Sequence, residues 1–163
     1  MALDKETWID EFNKVKKDIL NVIEVNPENI QHIGSTSIPG LSAKPIIDVL
    51  LGVDNYETMP ETFFNALKSI GIYRLKVERD DEIVLAKFED HTFEKHTHFV
   101  HLVSLGGQKW TDLLKFRDYL RAHEHAKDEY MTLKYKLLEQ FAGNRSQYTK
   151  QKETFIKSII NAV

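Results

Sequence analysis

Cysteine is absent from the 163-residue sequence, which excludes disulfide bonds, thiolate metal sites and cysteine nucleophiles. Long apolar runs are also lacking, and none approaches the length that spans a membrane. A surplus of basic residues is missing as well: the formal net charge is −3, so no positive field attracts a polynucleotide. We therefore expect neither a polynucleotide nor a membrane among the partners.

The first residues do not have the pattern of a secretory signal. The stretch MALDKETWIDEF has acidic residues where a signal peptide has an apolar segment, so we expect a cytoplasmic protein. The 42% of hydrophobic and 29% of charged residues are typical of a globular protein. At this length we expect one domain over residues 1–163, with a sheet-containing part over 1–109 and C-terminal helices over 110–163.

Apolar periodicity predicts an α+β fold. Steps of three and four between apolar residues predict a helix over 5–25, which Pro27 ends. Apolar or alternating runs predict five strands, over 28–33, 46–53, 73–77, 83–89 and 97–105. Helical patterns predict further helices over 56–70, 111–123 and 126–141, and from Ser146 onward. This order indicates a small mixed sheet with flanking helices and a helical C-terminal tail.

The stretch QHIGSTSIPGLSAKPIIDVLLGV, residues 31–53, contains the strongest candidate for a binding site. A short strand enters a turn of small residues, Gly34, Ser35, Thr36 and Ser37. Gly34 lets the backbone approach a ligand closely, and the following amides are suited to phosphate. Asp48 lies in a β-branched run and is costly to bury without a cation beside it. The alternative is a tight connection followed by a core acid.

Two blocks of this sequence resemble a known family. HIGSTSIPGLSAKPIIDVLL is similar to the signature of the GrpB family, described as predicted nucleotidyltransferases, and FRDYLRAHEHAKDEYMTLKYKLLEQF with YTKQKETFIKSII resembles its C-terminal half. The resemblance covers most of the chain. It implies a nucleotidyltransferase-like fold. It also implies that the protein transfers a nucleotidyl group from a nucleoside triphosphate to a small-molecule acceptor, with Mg²⁺ or Mn²⁺ as cofactor. It does not indicate the acceptor, the base or the oligomeric state.

The resemblance also implies roles for particular acids. In nucleotidyltransferase folds, two carboxylates two positions apart on a strand hold a metal pair beside the triphosphate. Asp48 supplies one of them, and Leu50 occupies the second position. A third acid comes from a later strand in such folds, and Glu89 or Asp90 are the candidates by their order in the chain. Both are otherwise simple loop acids.

Basic residues in the two blocks complete the expected phosphate site. Lys44 precedes the strand of Asp48 and is suited to phosphate as a point charge. Arg117 and Arg121 are four residues apart, so they share a helix face and are able to hold a phosphate together. A salt bridge from one of them to an acid on a neighbouring helix is the alternative.

Histidines are concentrated near the last predicted strand. His96 and His98 share a face of a regular strand, a spacing that can hold a metal, whereas His101 faces the opposite way unless a bulge intervenes. Asp48 or His32 are the nearest suppliers of a further ligand. The family resemblance implies that His98 or His101 lines the nucleotide cleft. Three hypotheses follow: a nucleotidyltransferase, a non-catalytic nucleotide-binding module, and a protein with a histidine metal site.

Overall fold

The computed structural model describes residues 5–162, apart from the side chains of Lys5, Glu6, Glu78 and Arg145. The chain divides into two units, residues 1–111 and 112–163. The helices and strands are α1 (Lys5–Val22), β1 (Ile30–Ile33), β2 (Ile47–Val53), α2 (Glu61–Lys68), β3 (Ile72–Glu78), β4 (Ile83–Phe88), β5 (His96–Ser104), α3 (Gln108–Ala122), α4 (Glu124–Gln140) and α5 (Arg145–Ala162). This order confirms the predicted α+β class.

The five strands form one mixed sheet in the order β1-β2-β5-β4-β3. β2 and β5 pair in parallel, and the other neighbouring strands pair antiparallel. β2 has a partner on each side, and five consecutive residues, Val49 to Val53, are buried. The apolar run predicted a covered strand, and its burial agrees because β-branched and aliphatic residues on both faces are removed from water.

One face of the sheet packs against α1 and α2 to form the core of the first unit. The predicted apolar stripe of α1 is buried, including Trp8, Val15 and Ile19, which are 4%, 2% and 0% exposed. Burial of each such aliphatic side chain contributes about 1.5–3 kcal/mol, so this stripe decides where α1 lies. The strands contribute the rest of this core through Val49, Leu51, Leu85, Val100 and Leu102.

The register of the strands defines the opposite face. Ile33 pairs with Asp48, Asp48 with Phe99, Phe99 with Ala86, and Ala86 with Tyr73, so these five residues form one row across the sheet. Directly paired residues point to the same side of a sheet. Val49, next to Asp48, belongs to the core with α1 and α2. Asp48 therefore faces away from that core.

Two predicted helix boundaries were wrong for identifiable reasons. The predicted helix over 56–70 is a 3₁₀ turn, Tyr56–Thr58, followed by α2 from Glu61, because Pro60 interrupts it and keeps Met59 extended. The predicted cap of the next helix, Thr111 or the residue before it, lies too late in the chain, since α3 begins at Gln108. The Thr111 N–H already donates to the Gly107 carbonyl over 3.0 Å, which closes the first turn of α3.

The described part of the second unit contains helices joined by short turns and no strand. Aromatic contacts join its three helices: the ring centroids of Phe116 and Tyr130 are 5.3 Å apart, and those of Tyr130 and Phe155 are 5.5 Å apart. The buried Lys134 ammonium lies 5.3 Å from the Tyr130 ring centroid. Over residues 5–162, no helix has the length and apolar character needed to cross a membrane.

Candidate functional site

The turn that follows β1 depends on a glycine. Gly34 has φ 76° and ψ −176°, a backbone region essentially restricted to this residue type. A Cβ added to Gly34 would lie 3.0 Å from the Asp48 Cβ and 3.1 Å from its Cγ, and would overlap its Oδ2. The Ser37 hydroxyl donates to the Gly34 carbonyl over 2.6 Å and closes the turn. The glycine thus brings the turn directly against the Asp48 carboxylate.

Replacement of Gly34 by alanine should destabilise the fold. The glycine-only backbone region costs another residue about 1–3 kcal/mol, and the overlap with Asp48 adds to that cost. We expect urea unfolding to show a loss of at least about 1 kcal/mol. Gly143→Ala is the control, because no atom lies within 4 Å of a Cβ there. An equal free energy of unfolding for the two variants would contradict the close approach of Gly34 to Asp48.

One further residue of the turn, Thr36, is held by a buried contact with His32 of β1. The Oγ1 of Thr36 lies 2.9 Å from His32 Nε2, and one of these atoms donates to the other. The His32 ring stacks on Phe12 at a centroid distance of 4.7 Å and an interplanar angle of 6°. His32 therefore connects the turn to α1, and its Nε2 is engaged with Thr36. Ser35 is half-buried in the same turn.

Asp48 begins a line of four charged or titratable side chains. Its Oδ1 lies 3.3 Å from His101 Nε2, and His101 Nδ1 lies 2.7 Å from Glu82 Oε1. The second Glu82 oxygen, Oε2, lies 3.0 Å from Lys109 Nζ. Glu82 is 2% exposed, whereas Asp48 and His101 are 28% and 23% exposed. The buried Glu82 carboxylate thus orients the His101 ring toward the accessible Asp48 carboxylate.

The electrostatics of this line follow from its geometry. Burial alone would raise the pKa of Glu82, but the hydrogen bonds and positive charges of His101 and Lys109 outweigh burial and lower it to about 2. Burial alone would lower the pKa of His101, but its bonds to Asp48 and Glu82 and their negative charges raise it to about 9. At neutral pH Glu82 is therefore negatively charged and His101 positively charged.

The acids near Asp48 do not complete a two-metal site. Leu50, at the position of the second carboxylate, is 0% exposed. Among the residues that the structure describes, no three histidine or acidic side chains are arranged to hold a metal ion. Asp48 alone suits one Mg²⁺ or Mn²⁺ shared with substrate phosphates, because Mg²⁺ keeps much of its water. Binding of such an ion stays a prediction.

The structure shows what the two candidates for the third acid contact, and their metal role stays a prediction. Glu89 lies in the loop after β4, where its exposed carboxylate is 3.7 Å from Lys95 Nζ. Asp90 accepts hydrogen bonds from the Thr92 hydroxyl and N–H over 2.6 and 2.9 Å. Glu82, at the opposite end of β4, is the acid that reaches His101. Lys44 is exposed beside the start of β2, and its role toward phosphate stays a prediction.

The predicted pairing of His96 and His98 on one face was wrong. Phe88 pairs with His96 while Lys87 pairs with His98, so β5 has one extra residue, a β-bulge, at Thr97. His96 therefore turns to the face of Asp48. His98 lies on the face of α1, where it is buried and its Nδ1 is 2.8 Å from Thr97 Oγ1. Of the two predicted cleft histidines, His101 is the one beside Asp48.

Arg117 and Arg121 lie on α3, in the second unit. Two nitrogens of Arg117, Nε and Nη2, each lie 2.9 Å from Oδ1 of Asp118, the next residue of α3. Burial and the positive charge of Arg117 lower the pKa of Arg121. Both residues lie on one helix, four positions apart. Their phosphate role stays a prediction.

The fold is that of nucleotidyltransferase-like proteins. A structure of the Cid1 poly(U) polymerase matches with a TM-score of 0.58 and 13% identity, over 91% of this chain and 48% of that one. A cytoplasmic RNA terminal U-transferase matches with a TM-score of 0.54 and 12% identity, over 85% of this chain and 41% of that one. At these identities the likeness concerns the fold alone, and this chain spans less than half of either protein.

Within that class, the chain belongs to the GrpB family, whose model, described as GrpB protein, matches residues 2–162. The glutamate-rich protein GrpB of Alkalihalophilus pseudofirmus is 37% identical over 99% of this chain and 93% of that protein. The UPF0157 protein YqkA of Bacillus subtilis is 36% identical over 97% of this chain and 45% of that protein. The crystal structure of GrpB from Enterococcus faecalis matches with a TM-score of 0.80 and 27% identity, over 99% and 97% of the two chains.

Proposed function

We propose that this chain binds a nucleoside triphosphate, with its phosphates at the turn of Gly34 to Ser37 and beside Asp48. The contact of Gly34 with the Asp48 carboxylate carries the proposal. It brings the turn of small residues, which includes the half-buried Ser35, to an accessible acid on the fold that nucleotidyltransferases share. His101 belongs to the proposed site because its Nε2 lies 3.3 Å from Asp48 Oδ1.

The side chains of the proposed site have different roles in binding. The small side chains of the turn leave room for phosphate oxygens, and the half-buried Ser35 supplies a hydroxyl group to bind them. Asp48 accepts hydrogen bonds or holds one Mg²⁺ or Mn²⁺ together with the phosphates. Glu82 keeps the His101 ring oriented toward Asp48, since its 2.7 Å contact is made to the other ring nitrogen.

Nucleotidyl transfer to a small-molecule acceptor is the second candidate function. The fold likeness to a poly(U) polymerase and a U-transferase favours it. The buried Leu50, in place of a second acid, favours binding without transfer. Release of pyrophosphate from a nucleoside triphosphate in the presence of pooled small-molecule acceptors would support transfer, and its absence would leave binding as the function.

A thermal-shift series with each nucleoside triphosphate, with and without Mg²⁺ or Mn²⁺, tests the proposal. A ligand at 100 times its Kd adds about 2.7 kcal/mol, so the melting midpoint should rise by several degrees. We expect Asp48→Asn to remove the part of the shift that depends on the metal. Asp54→Asn, at an exposed position after β2, should leave the shift unchanged. If no nucleotide moves the midpoint under any condition, the proposal is wrong.

A further inference from the structure

Five rings form a continuous cluster on the sheet, which we term the aromatic patch: Tyr73, Phe88, Phe93, His96 and Phe99. The ring centroids of Phe99 and His96 are 4.8 Å apart, and those of His96 and Phe88 are 4.7 Å apart. Phe93 contacts Phe88 and Tyr73 at centroid distances of 5.2 Å, in edge-to-face arrangements. Phe93 is half exposed, and the other four rings are partly accessible.

The aromatic patch lies on the same face of the sheet as the candidate phosphate site. Phe99 is the direct partner of Asp48, and Tyr73 belongs to the same row two strands further on. The bulge at Thr97 turns His96 to this face, where its ring stacks against Phe99. The patch therefore begins beside Asp48 and extends away from the Gly34 turn.

Phe93 holds an unfavourable backbone conformation at the outer end of the patch. Its φ is 59°, in the left-handed region that residues other than glycine, asparagine and aspartate rarely adopt. Its ring is 50% exposed instead of buried in a core. A costly backbone at an exposed aromatic residue is a feature that clusters at ligand-binding sites.

We propose that the aromatic patch binds the base of the nucleotide whose phosphates lie at the Gly34 turn. The inference rests on the proposed function and specifies the other end of the same ligand. Neighbouring strands are about 4.8 Å apart, so β4 lies about 10 Å from Asp48 across the sheet. An extended nucleoside triphosphate separates its phosphates from its base by a similar length. Because every base has a stacking face, the patch should accept all bases with little preference.

Isothermal titration with ATP, UTP and inorganic tripolyphosphate separates base binding from phosphate binding. Phe93→Asn removes the ring but keeps a residue that tolerates a positive φ. We expect this variant to bind ATP and UTP at least about 5-fold more weakly, the change that loss of one stacking contact produces. Its affinity for tripolyphosphate should not change. Phe93→Tyr should bind like the unmodified chain, and so should Tyr135→Asn, which removes an equally exposed ring in α4.

The outcomes distinguish the two proposals. If the unmodified chain binds nucleotides and Phe93→Asn binds them equally well, the patch does not bind the base, and the proposed function stands. An equal loss for nucleotides and tripolyphosphate would also overturn the inference, because the effect would not concern the base. If the unmodified chain binds none of the three ligands, both proposals fail.

Discussion

Glu82→Ala should lower the free energy of unfolding by about 3 kcal/mol, the low end of the cost of removing one partner from a buried ion pair. Glu82 is 2% exposed and contacts His101 and Lys109 over 2.7 and 3.0 Å. Without Glu82, the His101 ring and the Lys109 ammonium lose their shared carboxylate partner while they remain partly buried. The low end of the range applies because Lys109 is 31% exposed and regains some water. Urea unfolding at pH 7 measures the loss.

Two variants make this result interpretable. Glu82→Gln keeps an oxygen that can accept a hydrogen bond from His101 but removes the charge, so its loss should be smaller than that of Glu82→Ala. Glu57→Ala removes an exposed carboxylate and should change the free energy by less than about 0.5 kcal/mol. A loss below 1 kcal/mol for Glu82→Ala would show that the contacts of this acid do not stabilise the fold.

The chain should lose stability in mild acid because of His98. Burial and the positive charge of Lys87 lower its pKa from 6.5 to about 4. The Glu11 carboxylate, 3.9 Å from Nε2, is too far to reverse this, so His98 stays neutral at pH 7. Its Nε2 is buried with no hydrogen-bond partner among the described residues. Below pH 6.5 the unfolded chain takes up a proton that the folded chain resists, so stability falls as the pH falls to about 4, by about 3 kcal/mol in total.

His98→Leu tests this pH dependence directly. Its free energy of unfolding should fall less between pH 6.5 and pH 4.5 than that of the unmodified chain, by up to about 1.4 kcal/mol per pH unit. His125→Gln removes a histidine that is 90% exposed and should leave the dependence unchanged. Urea unfolding at pH 7, 6, 5 and 4.5 provides the comparison. Identical slopes for His98→Leu and the unmodified chain would refute the role of His98.

The helices and strands were largely predictable because their signals are local. The stripe of α1 repeats every three to four residues, and the run from Ile47 to Val53 is apolar on both faces, so burial follows directly from composition. The GrpB signature also lies in one continuous stretch, and the family it predicted is confirmed. Gly34 and Asp48 were predicted as one site from that stretch, and the structure brings them into contact.

Other features of the site depend on how strands pair. The loop before β4 contains several acids, and no local pattern distinguishes Glu82 from the others. The pairing of Val84 with His101 places Glu82 on the side of that histidine, whereas Glu89 lies beyond the other end of the strand. His96 was assigned to the wrong face because a single extra residue in β5 reverses the alternation.

The sequence by itself determined the class of fold, the family, the covered strand β2 and the glycine turn beside Asp48, because each rests on residues close together in the chain. Only the tertiary structure decided that Glu82, His101 and Lys109 form one line with Asp48, and that five separate rings form the aromatic patch. The physical reason is register: a shift of one residue in a strand moves every later side chain to the opposite face. That register is set by the packing of the whole sheet.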